Sequence, residues 1–177
     1  MRIRKALKPY VSWILLKLLR VSTSYSPVAL AHLERSQVIV CANHVSLLDG
    51  IIVALASPVP LAFGVDTEFS RRSKIAAAGL NFMAWLGFGS VVPIDSSSPF
   101  GIRSLSKSMK HGHSVMLFPE GRISETGAPG PEQPGIQWLA SKHPGAVLVR
   151  IQIHGAEQSQ LFAKAGTKLW PPIHISF

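Results

Sequence analysis

Along the chain, short apolar runs alternate with stretches whose apolar residues recur at helical spacing. Five runs, 38–42, 61–65, 90–94, 114–118 and 147–153, are rich in Val, Ile, Leu and Phe and closed by polar or turn-forming residues. Runs of that length and composition predict buried strands. The stretches between them, 47–55, 71–86, 102–110 and 136–142, predict helices. Pro58 and Pro60 stop the first of these, Gly87 and Gly89 follow the second, and Gly112 ends the third. Strands alternating with helices imply an α/β fold: one domain with a mixed, mostly parallel sheet flanked by helices. Residues 170–177 predict a closing strand whose start Pro171 and Pro172 confine to an edge. Residues 22–36 are turn-prone, with a short edge strand expected at 28–33. Residues 96–99 read as a loop, and 124–135, rich in Gly and Pro, as a long loop of a kind that is usually functional or mobile. No internal repeat is visible.

The first 20 residues follow a different pattern. They carry six basic residues and no acidic one. Ile14, Leu15, Leu18 and Leu19 make an apolar stripe, with Lys17 and Arg20 off it and Tyr10 and Trp13 at its start. Such a basic amphipathic helix lies in a membrane interface, with Pro9 setting where the helix proper begins. The expected division is residues 1–22 as a membrane-interface helix and 23–177 as the domain. The plainer reading is a surface helix packing its stripe on the core.

Composition sharpens this. At 177 residues the chain can bury one sizeable core, and 47% apolar against 15% charged residues argues against disorder. The mean hydropathy is +0.27. A net charge of +9 suits nucleic acid, an anionic membrane surface or an acidic substrate, and the greasy composition with 8% aromatics favours the membrane. No run of 18 apolar residues exists for a conventional membrane span, and no cleavable leader is expected. Cys41 is the single cysteine, which excludes an internal disulfide and a cysteine metal site; in its apolar run it reads as a core thiol.

Two segments could carry chemistry. The run 38–42 ends in Asn43-His44, with Asp49 five residues past the histidine. In one continuous helix those two side chains would diverge by roughly 140°. They meet only if His44 sits in a strand-to-helix turn and Asp49 in the first helical turn, leaning back. There the carboxylate would fix the imidazole tautomer and leave the other nitrogen as a base. Equally, Ser46-Leu47-Leu48-Asp49 fits a capping box, with Asp49 a helix-start device. From this stretch both readings stand. The second segment is LFPEGRIS, residues 117–124. Gly121 permits a tight turn, Arg122 can clamp a phosphate, and Glu120 can orient either the arginine or a hydroxyl. In isolation a surface Glu-Arg pair on a turn explains it too. Gly112-His113-Ser114-Val115-Met116 lacks the last glycine of a hydrolase elbow, and His111 with His113 lacks partners for a metal.

Together NHVSLLD and FPEGRIS resemble the glycerolipid acyltransferases of the lysophosphatidate-acyltransferase type. That family pairs Asn-His and an aspartate with a Phe-Pro-Glu-Gly segment some 70 residues on; here His44 and Glu120 are 76 apart. FPEGRIS followed by Glu125-Thr126-Gly127 resembles the acyltransferase part of bacterial 2-acylglycerophosphoethanolamine acyltransferase/acyl-ACP synthetases, without their ligase part. The resemblance implies the acyltransferase fold and transfer from acyl-ACP or acyl-CoA to the free hydroxyl of a lysophospholipid. It implies His44 and Asp49 as catalytic residues, and Asn43, Glu120, Gly121 and Arg122 as substrate-binding. Amides at the start of the following helix would hold the oxyanion. No metal or resident cofactor is implied, and no nucleic acid. The partners are anionic lipids, the acceptor and acyl carrier protein or CoA, at the cytoplasmic face of the inner membrane. Two positions depart from the family pattern: Ser96 follows Asp95 where an arginine is usual, and Arg150 replaces a proline. These, with the short tail past Trp170, are what a truncated or non-catalytic lipid-binding copy would show.

Overall fold

The computed structural model describes residues 2–66, 74–94 and 101–177. Its strands are β1 (Val21–Ser24), β2 (Val38–Ala42), β3 (Leu61–Asp66), β4 (Gly89–Ile94), β5 (Val115–Leu117), β6 (Val147–His154) and β7 (Ile173–Ser176). They form one seven-stranded sheet in the order β1-β7-β6-β2-β5-β3-β4. From β6 to β4 all neighbours are parallel; β7 is antiparallel to β6 and parallel to β1. The helices are α1 (Arg2–Leu18), α2 (Pro27–Arg35), α3 (Asp49–Ala56), α4 (Lys74–Trp85), α5 (Arg103–Lys110) and α6 (Gly135–Lys142).

The core explains the apolar runs. All five residues of β2 are buried, because helices cover both faces of a central parallel strand. Val38, Val40 and Ala42 join Ile52, Val53 and Leu55 of α3 in one cluster. Ile39 and Cys41 point the other way, to Leu105 and Met109 of α5 and Leu139 of α6. The strand thus contributes its two alternating rows to two cores.

Several expected elements changed. Residues 28–33 lie in helix α2, not in an edge strand. The Ser26 hydroxyl accepts the Ala29 N–H at 3.1 Å, Pro27 fills the first helical position, and Ala29 and Leu33, four apart, face inward. β1 was not anticipated, and it moves β7 from the edge into the sheet. Pro171 and Pro172 precede the ladder, whose first donor is the Ile173 N–H to the Arg20 carbonyl at 3.0 Å, so their missing donors cost nothing. β4, expected to be buried, is the opposite edge and half-exposed. The expected helix start at 71–73, the 96–99 loop and the readings placed on Asp95 and Ser96 lie outside the described residues.

Helix α1 begins at Arg2 and runs through Pro9. Pro9 withholds one i→i−4 donor without ending the helix, because the turns on either side supply their own bonds. The expected stripe is divided. Val11, Leu15, Leu16 and Leu19 pack on the core, and α1 lies against α3 and β1. Leu7, Tyr10, Trp13, Ile14 and Leu18 are exposed. The Lys17 ammonium lies 4.9 Å from the Trp13 ring centre, while Lys8 covers Phe88 at 5.3 Å. β1 straddles residue 22, so α1 and the sheet share one core. Among the described residues no helix is long and apolar enough to cross a membrane.

Because Ser26 starts α2, Ser26→Ala should lower unfolding free energy by about 1 kcal/mol. Urea denaturation read by circular dichroism measures this, and an unchanged midpoint would show that the cap contributes nothing.

Candidate active site

The site forms where β2 leaves the sheet. The Asn43 amide bonds the Ile153 backbone in both directions: Nδ2 donates to its carbonyl and Oδ1 accepts its N–H, each at 2.8 Å. This clamp ties the end of β2 to β6, which makes Asn43 a structural crosslink in this arrangement. His44 follows, its carbonyl accepting the Ser124 N–H at 2.7 Å. Its ring lies flat on Phe118, with centroids 3.8 Å apart and planes 11° apart. β5 pairs with β2 with Cys41 opposite Leu117, so both strands end at one level and the two rings meet.

Asp49, the first residue of α3, is completely buried. Four donors converge on its carboxylate. Oδ2 takes His44 Nδ1 at 3.0 Å, the Val45 N–H at 2.6 Å and the Ser46 N–H at 2.7 Å. Oδ1 takes the Ser46 hydroxyl at 2.6 Å. The carboxylate therefore holds the turn that leads into α3 and bonds the imidazole with the same oxygen, while the first turn of α3 itself has no side-chain cap. An ionised carboxylate only accepts, so the proton sits on Nδ1 and Nε2 keeps its lone pair. The His44 side chain is 17% exposed. Among the described residues nothing hydrogen-bonds Nε2. Placed so, His44 can take a proton at Nε2 while Asp49 stabilises the resulting cation.

The amides here are engaged. Beyond those of Val45 and Ser46, the Leu47 N–H goes to the Phe162 carbonyl at 2.8 Å, and the Leu48 N–H to the Ser46 hydroxyl at 3.2 Å. The Asp49 N–H meets the Ser46 carbonyl at 3.4 Å. The expectation that amides at this helix start hold an oxyanion is corrected for residues 45–49: the carboxylate and the turn claim them first.

Glu120 comes to the same turn from 76 residues away. It is 7% exposed, and its Oε1 accepts the His44 N–H at 3.3 Å. Gly121 adopts φ 70°, a left-handed conformation that side chains disfavour, and so turns Arg122 outward. Arg122 is exposed and makes no hydrogen bond or ion pair among the described residues. The Lys164 ammonium, bonded at 3.0 Å and aided by the nearby Arg122, holds the Glu125 carboxyl below its ordinary range.

Beside Glu120 opens a cleft of about 300 Å³, between the ends of β2 and β6 and the 124–135 loop. Gly130 roofs Glu120 closely: a Cβ there would stand 3.4 Å from Oε2. Arg150 and Glu132 pair across the cleft. The Arg150 hydrogen bond keeps the Glu132 carboxyl below its usual range. Cys41 lies in the cleft wall, its thiol pushed up to about 12, first by burial, so it is an inert core thiol. Phe118 and Ser46 were missed as site residues. The FPEG segment contained the first, and the capping box the second, but ring stacking across two strands has no local signature.

A family model described as Acyltransferase matches residues 24–154. The chain belongs to the Acyltransferase family. The acyltransferase fold extends to a solved structure: the crystal structure of the 1-acyl-sn-glycerophosphate (LPA) acyltransferase, PlsC, from Thermotoga maritima. The two are 19% identical at TM-score 0.68, over 99% of this acyltransferase and 68% of that chain. His44, Asp49 and Glu120 all fall within the matched residues.

In Arg150→Gln the Glu132 carboxyl should rise toward its ordinary value of 4.5, read by carboxyl carbon NMR titration. The sign follows from the lowered folded value. The pair's contribution, at most about 1 kcal/mol for so exposed a pair, is full above 4.5 and lost as pH falls through the lowered value. Wild type and variant should thus differ in stability only at the higher pH.

Proposed function

We propose that this acyltransferase esterifies the free hydroxyl of a lysoglycerophospholipid, taking the acyl group from an acyl-ACP or acyl-CoA thioester. One observation carries the reading: an imidazole fixed by a buried carboxylate, with Nε2 open, shares its turn with Glu120. His44 Nε2 takes the hydroxyl proton as the oxygen attacks the thioester carbonyl. The tetrahedral centre collapses, the carbon–sulfur bond breaks, and the proton passes to the departing thiolate. No covalent enzyme intermediate is needed. Arg122, exposed beside Glu120, suits the acceptor phosphate, and Gly121 lets the backbone come close. The RIS sequence after the glutamate favours a phosphoethanolamine acceptor over lysophosphatidate.

The outward face of α1 supports a peripheral place on an anionic membrane, which in a bacterium would be the cytoplasmic face of the inner membrane. Tyr10 and Trp13 offer interfacial rings, Leu7, Ile14 and Leu18 an apolar surface, and the helix carries no acidic residue.

His44→Ala should lower kcat/KM by about a thousandfold with acyl-ACP or acyl-CoA and a panel of lysolipids. Arg122→Ala should act chiefly on acceptor KM. Activity surviving in a folded His44→Ala protein would remove the proposed base. Turnover of no acceptor by the wild type, with vesicle binding intact, would make the chain a lipid-binding protein that kept the fold.

Removing residues 1–20 would also expose the core face of α1, so the membrane contact is better tested by Trp13→Ser with Ile14→Ser. Sedimentation with phosphatidylglycerol-containing vesicles should show weaker binding, as should raising salt on the wild type. Equal binding by the variant would leave the outward face without this role.

A further inference from the structure

Residues 160–170 form a loop that the site chemistry does not use. It is closed on itself by the Gln160 N–H to the Lys168 carbonyl at 2.8 Å and the Lys168 N–H to the Gln158 carbonyl at 2.9 Å. Gly166 presses on Ser159 so closely that a Cβ would stand 2.1 Å from its carbonyl oxygen. Both ends of the loop are tied to parts already described. The Phe162 carbonyl accepts the Leu47 N–H at 2.8 Å, three residues past His44. The Trp170 indole donates to the Leu18 carbonyl at 3.0 Å, and Arg20 donates to the Trp170 carbonyl at 2.9 Å. Phe162 and Trp170 meet edge to face, 6.4 Å apart.

A loop held this firmly could turn its apolar residues inward, yet Leu161 is 55% and Leu169 65% exposed, with Trp170 and Leu47 partly so. Linked through Trp170 to Leu18, they extend the exposed face of α1 toward the catalytic turn. Several large apolar side chains left exposed on segments bonded to one another point to an interaction surface. Its charges choose the occupant: Lys17 lies on Trp13, Arg20 bonds the Trp170 carbonyl and Lys168 stands beside Leu169 in the chain, while Lys164 and Glu125 cancel. Cations around leucine and tryptophan complement an anionic bilayer.

We propose that residues 160–170 are a second interfacial anchor, seated with the outward face of α1 on an anionic lipid surface. Two anchors fix orientation where one leaves the protein free to swing. They set Leu47, and with it the His44 turn, at the lipid–water boundary, so that a lysolipid reaches the imidazole by lateral motion. The proposal rests on the membrane reading above.

The test uses the full chain with Leu161→Ser and Leu169→Ser together, both surface changes, with folding checked by circular dichroism. Binding to vesicles of phosphatidylcholine and phosphatidylglycerol should fall about tenfold. Turnover of a vesicle-embedded lysolipid should fall with it, while turnover of a short-chain lysolipid below its micelle concentration stays unchanged. In a protein whose Trp13, Trp85 and Trp138 are changed to Phe, bromolipids should quench Trp170. Unchanged vesicle binding, an unquenched Trp170, or a dimer in sedimentation velocity that the double substitution dissolves would each overturn the anchor. Should no lysolipid be turned over at all, the binding and quenching arms still decide it, which separates its failure from that of the enzymatic reading.

Discussion

The Asp49 carboxylate is the constraint on which the site depends. A fully buried charge is costly unless several donors surround it, and the loss of one partner leaves the rest to bear it. Here all four donors come from residues 44–46, so a charge at one helix start dictates the backbone path of the turn before it. The imidazole is one of the four. Its orientation is therefore set by the same contacts that begin α3, and the turn cannot relax without unburying the carboxylate's lone pairs. The burial of the carboxylate and the orientation of the imidazole share one origin.

The second support comes from topology. β5 lies beside β2 and runs parallel to it, so residues after the two strands emerge at the same sheet edge. Phe118 then stacks on His44, and Glu120, two residues on, bonds the histidine's own N–H. The Ser124 N–H on the His44 carbonyl closes the arrangement. A histidine is thus gripped through its ring, its N–H and its carbonyl by a segment far away in sequence. On the other side Asn43 locks β2 to β6, and Arg150 pairs with Glu132 across the cleft between these strand ends and the 124–135 loop.

Helix α1 joins this machinery to its surroundings. It is apolar on two faces: one completes the core through Val11, Leu15, Leu16 and Leu19, the other stays exposed. A stripe drawn from sequence merged these faces, because Ile14 and Leu15 are adjacent residues with opposite destinations. The loop at 160–170 drew no attention in sequence, since its leucines and tryptophan are spaced without any period. Its backbone closure through Gln158, Gln160 and Lys168, with the bonds to Leu47, Leu18 and Arg20, fixes a loop whose leucines stay exposed.

What the sequence by itself determined was local and repetitive. The buried strands β2, β3 and β5 were legible because a strand covered on both faces must be continuously apolar, and β6 because its Val, Ile and Leu residues mark a strand, although it buries only alternate residues. Helices α3 to α5 were legible because the residues that stop them, Pro58, Gly87 and Gly112, have few alternatives. NHVSLLD and FPEGRIS could be recognised as a pair, since each brings unusual polar groups to a strand end. Tertiary structure decided the rest. Residues 28–33 suit strand or helix, and the Ser26 cap with the inward packing of Ala29 and Leu33 selected helix. β1 is short and polar, and it became a strand only because β7 offered it an unpaired edge. Whether Asp49 would bond the turn before the helix, the His44 ring or both could not be read from residues 46–49. That answer needed a fold placing the ring and two amides around one carboxylate, since a hydrogen bond has direction and distance and a sequence has neither.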